Sequence, residues 1–156
     1  FILGASNVSV ALARYADDVE FEVFVVDYDE HYLSEARFPD VERILIPSFD
    51  KLHEYLDVTE DDYICVLTRG HMYDPEALIF GVETGAHYVG MLGHPIKNER
   101  VMKLCEEAGH NRADFEDKIY APIGLEFGAK GATELGICIV AQLIQVRAER
   151  RKQADA

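Results

Sequence analysis

The sequence predicts an α/β domain: a three-layer, Rossmann-like, doubly wound parallel sheet with strand order 3-2-1-4-5. Three observations predict it. Short continuous apolar runs alternate with helical patterns along the chain, as strands buried on both faces and joined by crossover helices do. The first run, Phe1-Ile2-Leu3, ends at Gly4, and a helical pattern begins at about Asn7, so a strand turns sharply into a helix. The second run, Val23-Phe24-Val25-Val26, ends in Asp27, eighteen residues beyond Ser9, where an acid would hold a ribose diol. The dinucleotide fingerprint itself is imperfect. It asks for glycine three times and finds Gly4, Ser6 and Ser9, so a Cβ at Ser6 stands where a pyrophosphate would approach the backbone.

Taken in order, residues 1 to 4 form strand one. Residues 7 to 17 form a helix with Val8, Ala11, Leu12 and Tyr15 on one face. Residues 21 to 27 form strand two, and Tyr28 to Pro39 is mixed, a loop or a short turn of helix. Arg43 to Ile46 is a short third strand, after which Ser48 caps a helix through Tyr55. Tyr63 to Leu67 is strand four. Asp74 as cap and Pro75 at the first helical position open a helix to about Thr84. His87 to Met91 is strand five, and Pro95 starts a helix through Ala108 that Gly109 ends. A short helix from Arg112 to Asp117 precedes a possible sixth strand at Lys118 to Tyr120. The last helix runs from about Ala132 to Arg150 and carries an unusually wide apolar surface. That width fits either central burial within the domain or a subunit or interdomain interface.

Residues 1 to 156 are enough for one domain with a sizeable core, and 49% of them are hydrophobic, which argues against disorder. Because the chain opens directly on a strand at Phe1, an upstream domain of a longer protein is expected. No apolar run approaches the roughly 20 residues of a membrane span, so no membrane role is expected. The formal net charge of -14 repels phosphate backbones at long range, which makes nucleic acid a poor partner. Cys65, Cys105 and Cys138 are an odd number, far apart and without a CxxC pair. They suit a reducing, cytoplasmic compartment, with Cys65 a packing residue and the other two inert.

Ligands in such sheets bind beyond the carboxyl ends of the strands where strand order reverses, here between strands one and four. Three loops face that crevice: Gly4 to Val8, Thr68 to Asp74 and Leu92 to Lys97. The middle one, Thr68-Arg69-Gly70-His71-Met72-Tyr73-Asp74, concentrates a hydroxyl, a guanidinium, an imidazole and a carboxylate, and Gly70 admits a close backbone approach. In the last, Gly93-His94-Pro95 leads into a helix N-terminus that suits an anion, with Lys97 and Arg100 adding charge. If a dinucleotide binds, NAD is favoured over NADP, because no basic residue closely follows Asp27. His71, Asp74 and His94 lack helix-face ligand spacing, so no metal site is expected, and His31, His53, His87 and His110 read as surface or structural. No Ser-His-Asp or Cys-His arrangement supports a catalytic assignment.

Three stretches together resemble the C-terminal Rossmann domain of the XdhC/CoxI family, the xanthine dehydrogenase accessory factors. They are Thr68-Arg69-Gly70-His71 with Asp74-Pro75 and Leu78; Tyr88-Val89-Gly90-Met91-Leu92-Gly93; and Ala121-Pro122-Ile123-Gly124-Leu125 with Gly128-Ala129-Lys130. Their order and spacing match over nearly the whole chain. The Thr-Arg-Gly-His form is similar to the branch linked to selenium-dependent molybdenum hydroxylases. This sequence departs from the family pattern in three places. The usual Gly-Ala-Gly-His-Val turn is Gly4-Ala5-Ser6-Asn7-Val8, His94-Pro95-Ile96-Lys97 replaces a serine and basic residues, and Gly131-Ala132 replaces a Thr-Pro helix start.

The resemblance implies an accessory and maturation factor that binds the molybdenum cofactor (molybdopterin). Such a factor supports the cofactor's sulfuration with a cysteine desulfurase and hands it to an apo molybdenum hydroxylase. It also implies a homodimer, and a binding and delivery module without turnover of its own. The expected cofactor-binding residues are Gly4, Ser6, Asn7, Asp27, Thr68, Arg69, Gly70, His71, Gly93, His94 and Lys97. Asn7, Arg69, His71, His94 and Lys97 would make direct contacts with the pterin and its terminal phosphate. Two other readings stand beside it: an NAD-dependent oxidoreductase or NAD-binding regulatory domain using Gly4 and Asp27, and a structural dimerisation domain built on the last helix.

Overall fold

The computed structural model describes all 156 residues. Strands β1 (Ile2–Leu3), β2 (Phe24–Asp27), β3 (Glu42–Leu45), β4 (Tyr63–Val66), β5 (Tyr88–Met91) and β6 (Ile119–Tyr120) form one sheet in the order β3-β2-β1-β4-β5-β6. Every pairing is parallel: Ile2 lies beside Val25 on one side and Cys65 on the other. The expected strand order is present, and the sixth strand adds itself outside β5, with Val89 beside Ile119. Helices α1 (Asn7–Asp18), α2 (Leu52–Tyr55), α3 (Asp74–Thr84), α4 (Pro95–Glu107) and α5 (Gly131–Ala154) cover the two faces.

Successive strand residues point to opposite faces, and this splits the core in two. Ile2, Val25, Cys65, Leu67 and Tyr88 pack with α1 and α5 on one face. Leu3, Val26, Ile64, Val66, Val89 and Met91 pack with α2, α3 and α4 on the other. This explains why the strands read as unbroken apolar runs. Tyr88 is fully buried, and its hydroxyl donates to Gln142 Oε1 at 2.6 Å; the same oxygen accepts the Gly124 N–H at 2.8 Å, tying β5 to α5 and to the preceding loop. Burial pushes the Tyr88 phenol well above its ordinary range. Tyr88→Phe leaves Gln142 with its Gly124 partner, so a loss of about 1 kcal/mol is expected, read from the midpoint of urea unfolding.

Two helix starts differ from the sequence reading, each for a side-chain reason. The Ser48 hydroxyl turns to the Asp50 carboxylate and caps nothing, so the segment opens as a 3₁₀ turn, Phe49–Lys51, before the short α2. Asp74 is not the cap of α3; Tyr73 is, without a side-chain bond, because the Asp74 carboxylate is used elsewhere. Helix α5 lacks a capping hydroxyl at Lys130, but Glu134 reaches back to accept the Lys130 N–H at 2.6 Å.

Helix α5 satisfies part of its wide apolar surface by central burial. Ile139, Leu143 and Val146 are buried against α1, and Gly136 permits the approach: a Cβ there would stand 2.9 Å from Ala11 Cβ. Ile137 and Ile144 remain outside, 47% and 38% exposed. No helix is long and apolar enough to cross a membrane.

The three cysteines are free and buried, and burial pushes the thiols of Cys65 and Cys105 up to about 12 and about 11. Thiolate is the reactive form. The folded chain is therefore expected to resist iodoacetamide near neutral pH and to alkylate at all three cysteines once denatured, as read by mass spectrometry.

Candidate functional site

The site begins at the turn from β1 to α1. Gly4 has φ +110°, and a Cβ on it would lie 2.5 Å from both Leu67 O and Thr68 Cα. Only glycine lets the end of β1 pass the exit of β4. Ser6 and Ser9, which stand where the fingerprint has glycines, are consumed within the turn. Ser6 Oγ accepts the Ser9 N–H at 3.3 Å, and the Ser9 hydroxyl donates to Gly4 O at 2.5 Å.

Asp27 lies beneath this turn, 1% exposed. Its Oδ2 accepts the Ala5 N–H at 2.8 Å and Arg69 Nε at 3.4 Å. Its Oδ1 accepts the Asp29 N–H at 2.9 Å and Arg69 Nη2 at 3.1 Å. A carboxylate has about four lone-pair sites, and all are taken by protein donors. The role expected for Asp27, holding a ribose diol, has no free acceptor; the acid instead fixes the turn and orients Arg69. Burial works against the Arg69 charge, but the Asp27 hydrogen bonds and charge outweigh it and hold the guanidinium above its usual range.

Arg37, in the mixed stretch after strand two, is a site residue the sequence reading missed. Its Nη1 donates to Ala5 O at 2.8 Å and Tyr32 O at 2.6 Å, and its Nη2 to Asn7 Oδ1 at 3.1 Å. That leaves the Asn7 amide NH₂ as a donor. Arg69 sits over the Tyr32 ring at 3.9 Å, a cation–π contact. Ala5, Ser6, Asn7, Tyr32, Arg37 and Arg69 line a cleft of about 280 Å³ at the place where strand order reverses. Two guanidinium groups thus meet over the N-terminus of α1 in a chain of net charge -14. The available signal was that Arg37 is the one Lys or Arg between Tyr28 and Pro39.

A second cluster lies on the other side of the β4 loop. Asp74, 1% exposed, accepts from Thr68 Oγ1 at 2.5 Å and from Lys97 Nζ, and meets His71 Nδ1 at 2.9 Å. Lys97 also donates to Leu92 O at 2.8 Å, so its ammonium is engaged within the protein. Gly93 makes room for it: a Cβ there would stand 2.5 Å from Lys97 Nζ. Gly70 and His71 have φ of +62° and +60°, and a non-glycine residue there carries about 1 kcal/mol of strain. His71 Nδ1 faces both the Asp74 carboxylate, at 2.9 Å, and the Lys97 ammonium, at 3.1 Å. His94 lies apart from both clusters: it is exposed, and its Nδ1 caps α4 by accepting the Ile96 N–H at 3.2 Å.

The structure therefore brings Ser6, Asn7, Arg69 and Gly70 together at one cleft, sets Gly4 in the turn behind it, and gathers Thr68, His71, Gly93 and Lys97 around Asp74. A family model described as the XdhC Rossmann domain matches residues 1–143. The chain is 27% identical over 146 residues to a protein of Bacillus subtilis (strain 168) named as a probable xanthine dehydrogenase subunit, covering 94% of this chain and 42% of that one. It is also 27% identical over 147 residues to the uncharacterized protein YqeB of Escherichia coli (strain K12), covering 94% of this chain and 27% of that one. A crystal structure described as a xanthine dehydrogenase from Bacillus halodurans superimposes with a TM-score of 0.84 at 30% identity, over 99% of this chain and 45% of that one. The chain spans less than half the length of each of these relatives. The matched residues contain all six strands and both loop clusters, and the chain belongs to the XdhC Rossmann-domain family.

Proposed function

We propose that this domain binds the molybdenum cofactor in the cleft over the α1 N-terminus and serves enzymes of the xanthine dehydrogenase type as an accessory factor. The observation that carries the reading is the meeting of Arg37 and Arg69 at that cleft in an otherwise strongly acidic chain. The donors fit the phosphate end of such a group: two guanidinium groups, the Asn7 amide and the N–H groups of the first turn of α1. Tyr32, 39% exposed, offers a ring edge beside them for a planar ligand. When installed in its client, the group supplies a redox-active molybdenum centre. This domain binds, orients and releases it, without turnover of its own.

The relatives' names support the link to xanthine dehydrogenase. A cytoplasmic homodimer, sulfuration assisted by a cysteine desulfurase, and transfer to an apo molybdenum hydroxylase, the selenium-dependent class included, complete the proposal. An NAD-binding role is the second reading, favoured by the Rossmann topology and weakened by the filled lone pairs of Asp27.

An anaerobic side-by-side titration with molybdenum cofactor and NAD(H) separates the two. Saturable binding of the cofactor alone is expected; binding of NAD(H) alone overturns the proposal. Arg69→Ala and Arg37→Ala each remove charge-assisted hydrogen bonds worth about 1.5–3 kcal/mol, so at least about tenfold weaker binding is expected. Circular dichroism should remain native, because Asp27 keeps two backbone N–H partners without Arg69. Unchanged affinity in both variants would place the ligand elsewhere.

A further inference from the structure

We infer that the outer face of α5 is a self-complementary seam on which a second copy of this chain docks, antiparallel, about a twofold axis. This rests on the homodimer named above and specifies the surface that makes it. Glu134, Ile137, Ala141, Ile144, Ala148 and Arg151 follow one another at spacings of three, four, three, four and three residues, the a/d spacing of a coiled-coil seam. None of the six is buried; Gly136, Ile139, Leu143 and Val146 are buried on the opposite side of the helix, and Cys138 and Val140 are buried along its flanks. A solvated helix face has no reason to carry isoleucines at such a repeat.

The order of residues along the stripe identifies the occupant. In an antiparallel pair centred between Gln142 and Leu143, Ala141 meets Ile144 of the second copy, and Ile137 meets its Ala148. Each apolar layer then sets a large side chain against a small one, which lets two helices approach to about 8 Å. The ends close the same way, Glu134 facing Arg151 at both extremities. These charges are available: Arg147 donates to Val19 O and Arg150 pairs with Asp61, whereas Arg151 makes no ion pair, and Glu134 binds only the Lys130 N–H. Size and charge thus match under one twofold operation, which an unrelated partner would not require. The seam spans 17 residue steps, about 26 Å. It is a small interface, and a dissociation constant of about micromolar is expected.

The test is light scattering and sedimentation of the wild-type chain, of Ile144→Glu, of Arg151→Glu, and of Glu134→Arg combined with Arg151→Glu. The wild-type chain of 17.6 kDa should associate to twice that mass. Ile144→Glu sets a carboxylate against an alanine in the seam, and about 100-fold weaker association is expected. Its circular dichroism should be native, because Ile144 is exposed in the single chain. Arg151→Glu should weaken association about tenfold, and the added Glu134→Arg should restore it. A dimer that persists in Ile144→Glu overturns this surface while leaving a homodimer standing. Failure of the charge swap to restore association overturns the antiparallel register. A wild-type chain that stays monomeric, with the stripe free or covered by another segment, overturns both this inference and the homodimer. Cofactor titration of the Ile144→Glu monomer reports on the cleft independently.

Discussion

Gly4→Ala is expected to destabilise the chain by about 4 kcal/mol or to prevent folding altogether. Two effects add. The backbone at Gly4 sits at φ +110°, which a side chain adopts only with strain, and the new Cβ would stand 2.5 Å from Leu67 O and Thr68 Cα. Those neighbours are backbone atoms at the exit of the central strand β4, so neither can rotate away. They move only if β1 and β4 separate, and β1 is the strand on which β2 and β4 both register. A matched control is Gly85→Ala. Gly85 is also left-handed, at φ +69°, but a Cβ there meets nothing within 4 Å. Strain alone should then cost about 1 kcal/mol. Urea denaturation of the two variants measures the difference. Equal effects would mean that the close approach of β1 to the β4 exit has no energetic weight.

Asp27→Ala is expected to cost about 3–5 kcal/mol. Its carboxylate is 1% exposed and serves Ala5 N–H, Asp29 N–H and both donors of Arg69. Removing it leaves the buried Ala5 amide and the half-buried Asp29 amide without their acceptor and a guanidinium without its counter-ion. Asp27→Asn should approach the same loss, because an amide NH₂ would point a donor at a donor. Arg69→Ala added to Asp27→Ala should recover part of the loss, since the uncompensated charge goes with it. A double-mutant cycle by denaturant unfolding reads that coupling. Strict additivity would mean that Asp27 and Arg69 act separately, and a loss below about 1 kcal/mol for Asp27→Ala would remove the acid from its organising role.

The division between legible and illegible residues follows sequence separation. Gly4, Gly70 and Gly93 can be singled out because a turn that needs a glycine announces itself beside the strand it ends. The Thr68 to Asp74 loop can be found for the same reason, lying between a buried strand and a proline-started helix. Arg37 cannot, since what makes it a site residue is a bond to Asn7 thirty positions away. Asp74 reads as a cap because local spacing favours one, yet Lys97, 23 residues on, takes its carboxylate.

The alternation of strands and helices, their parallel order, the glycine turn at Gly4 and the family resemblance are legible in the chain alone, because each is written in local apolar period and turn chemistry. Which polar groups remain free depends on contacts that form when the chain packs. Arg69 reaches Asp27 across 42 residues and occupies the acceptor a ribose would need. Arg37 and Arg69 converge on one cleft although no motif joins them. The burial of one side of α5 left its other side, from Glu134 to Arg151, outside the core. Hydrogen-bonding capacity and exposure are consumed by partners distant in sequence, so they are settled when the chain packs.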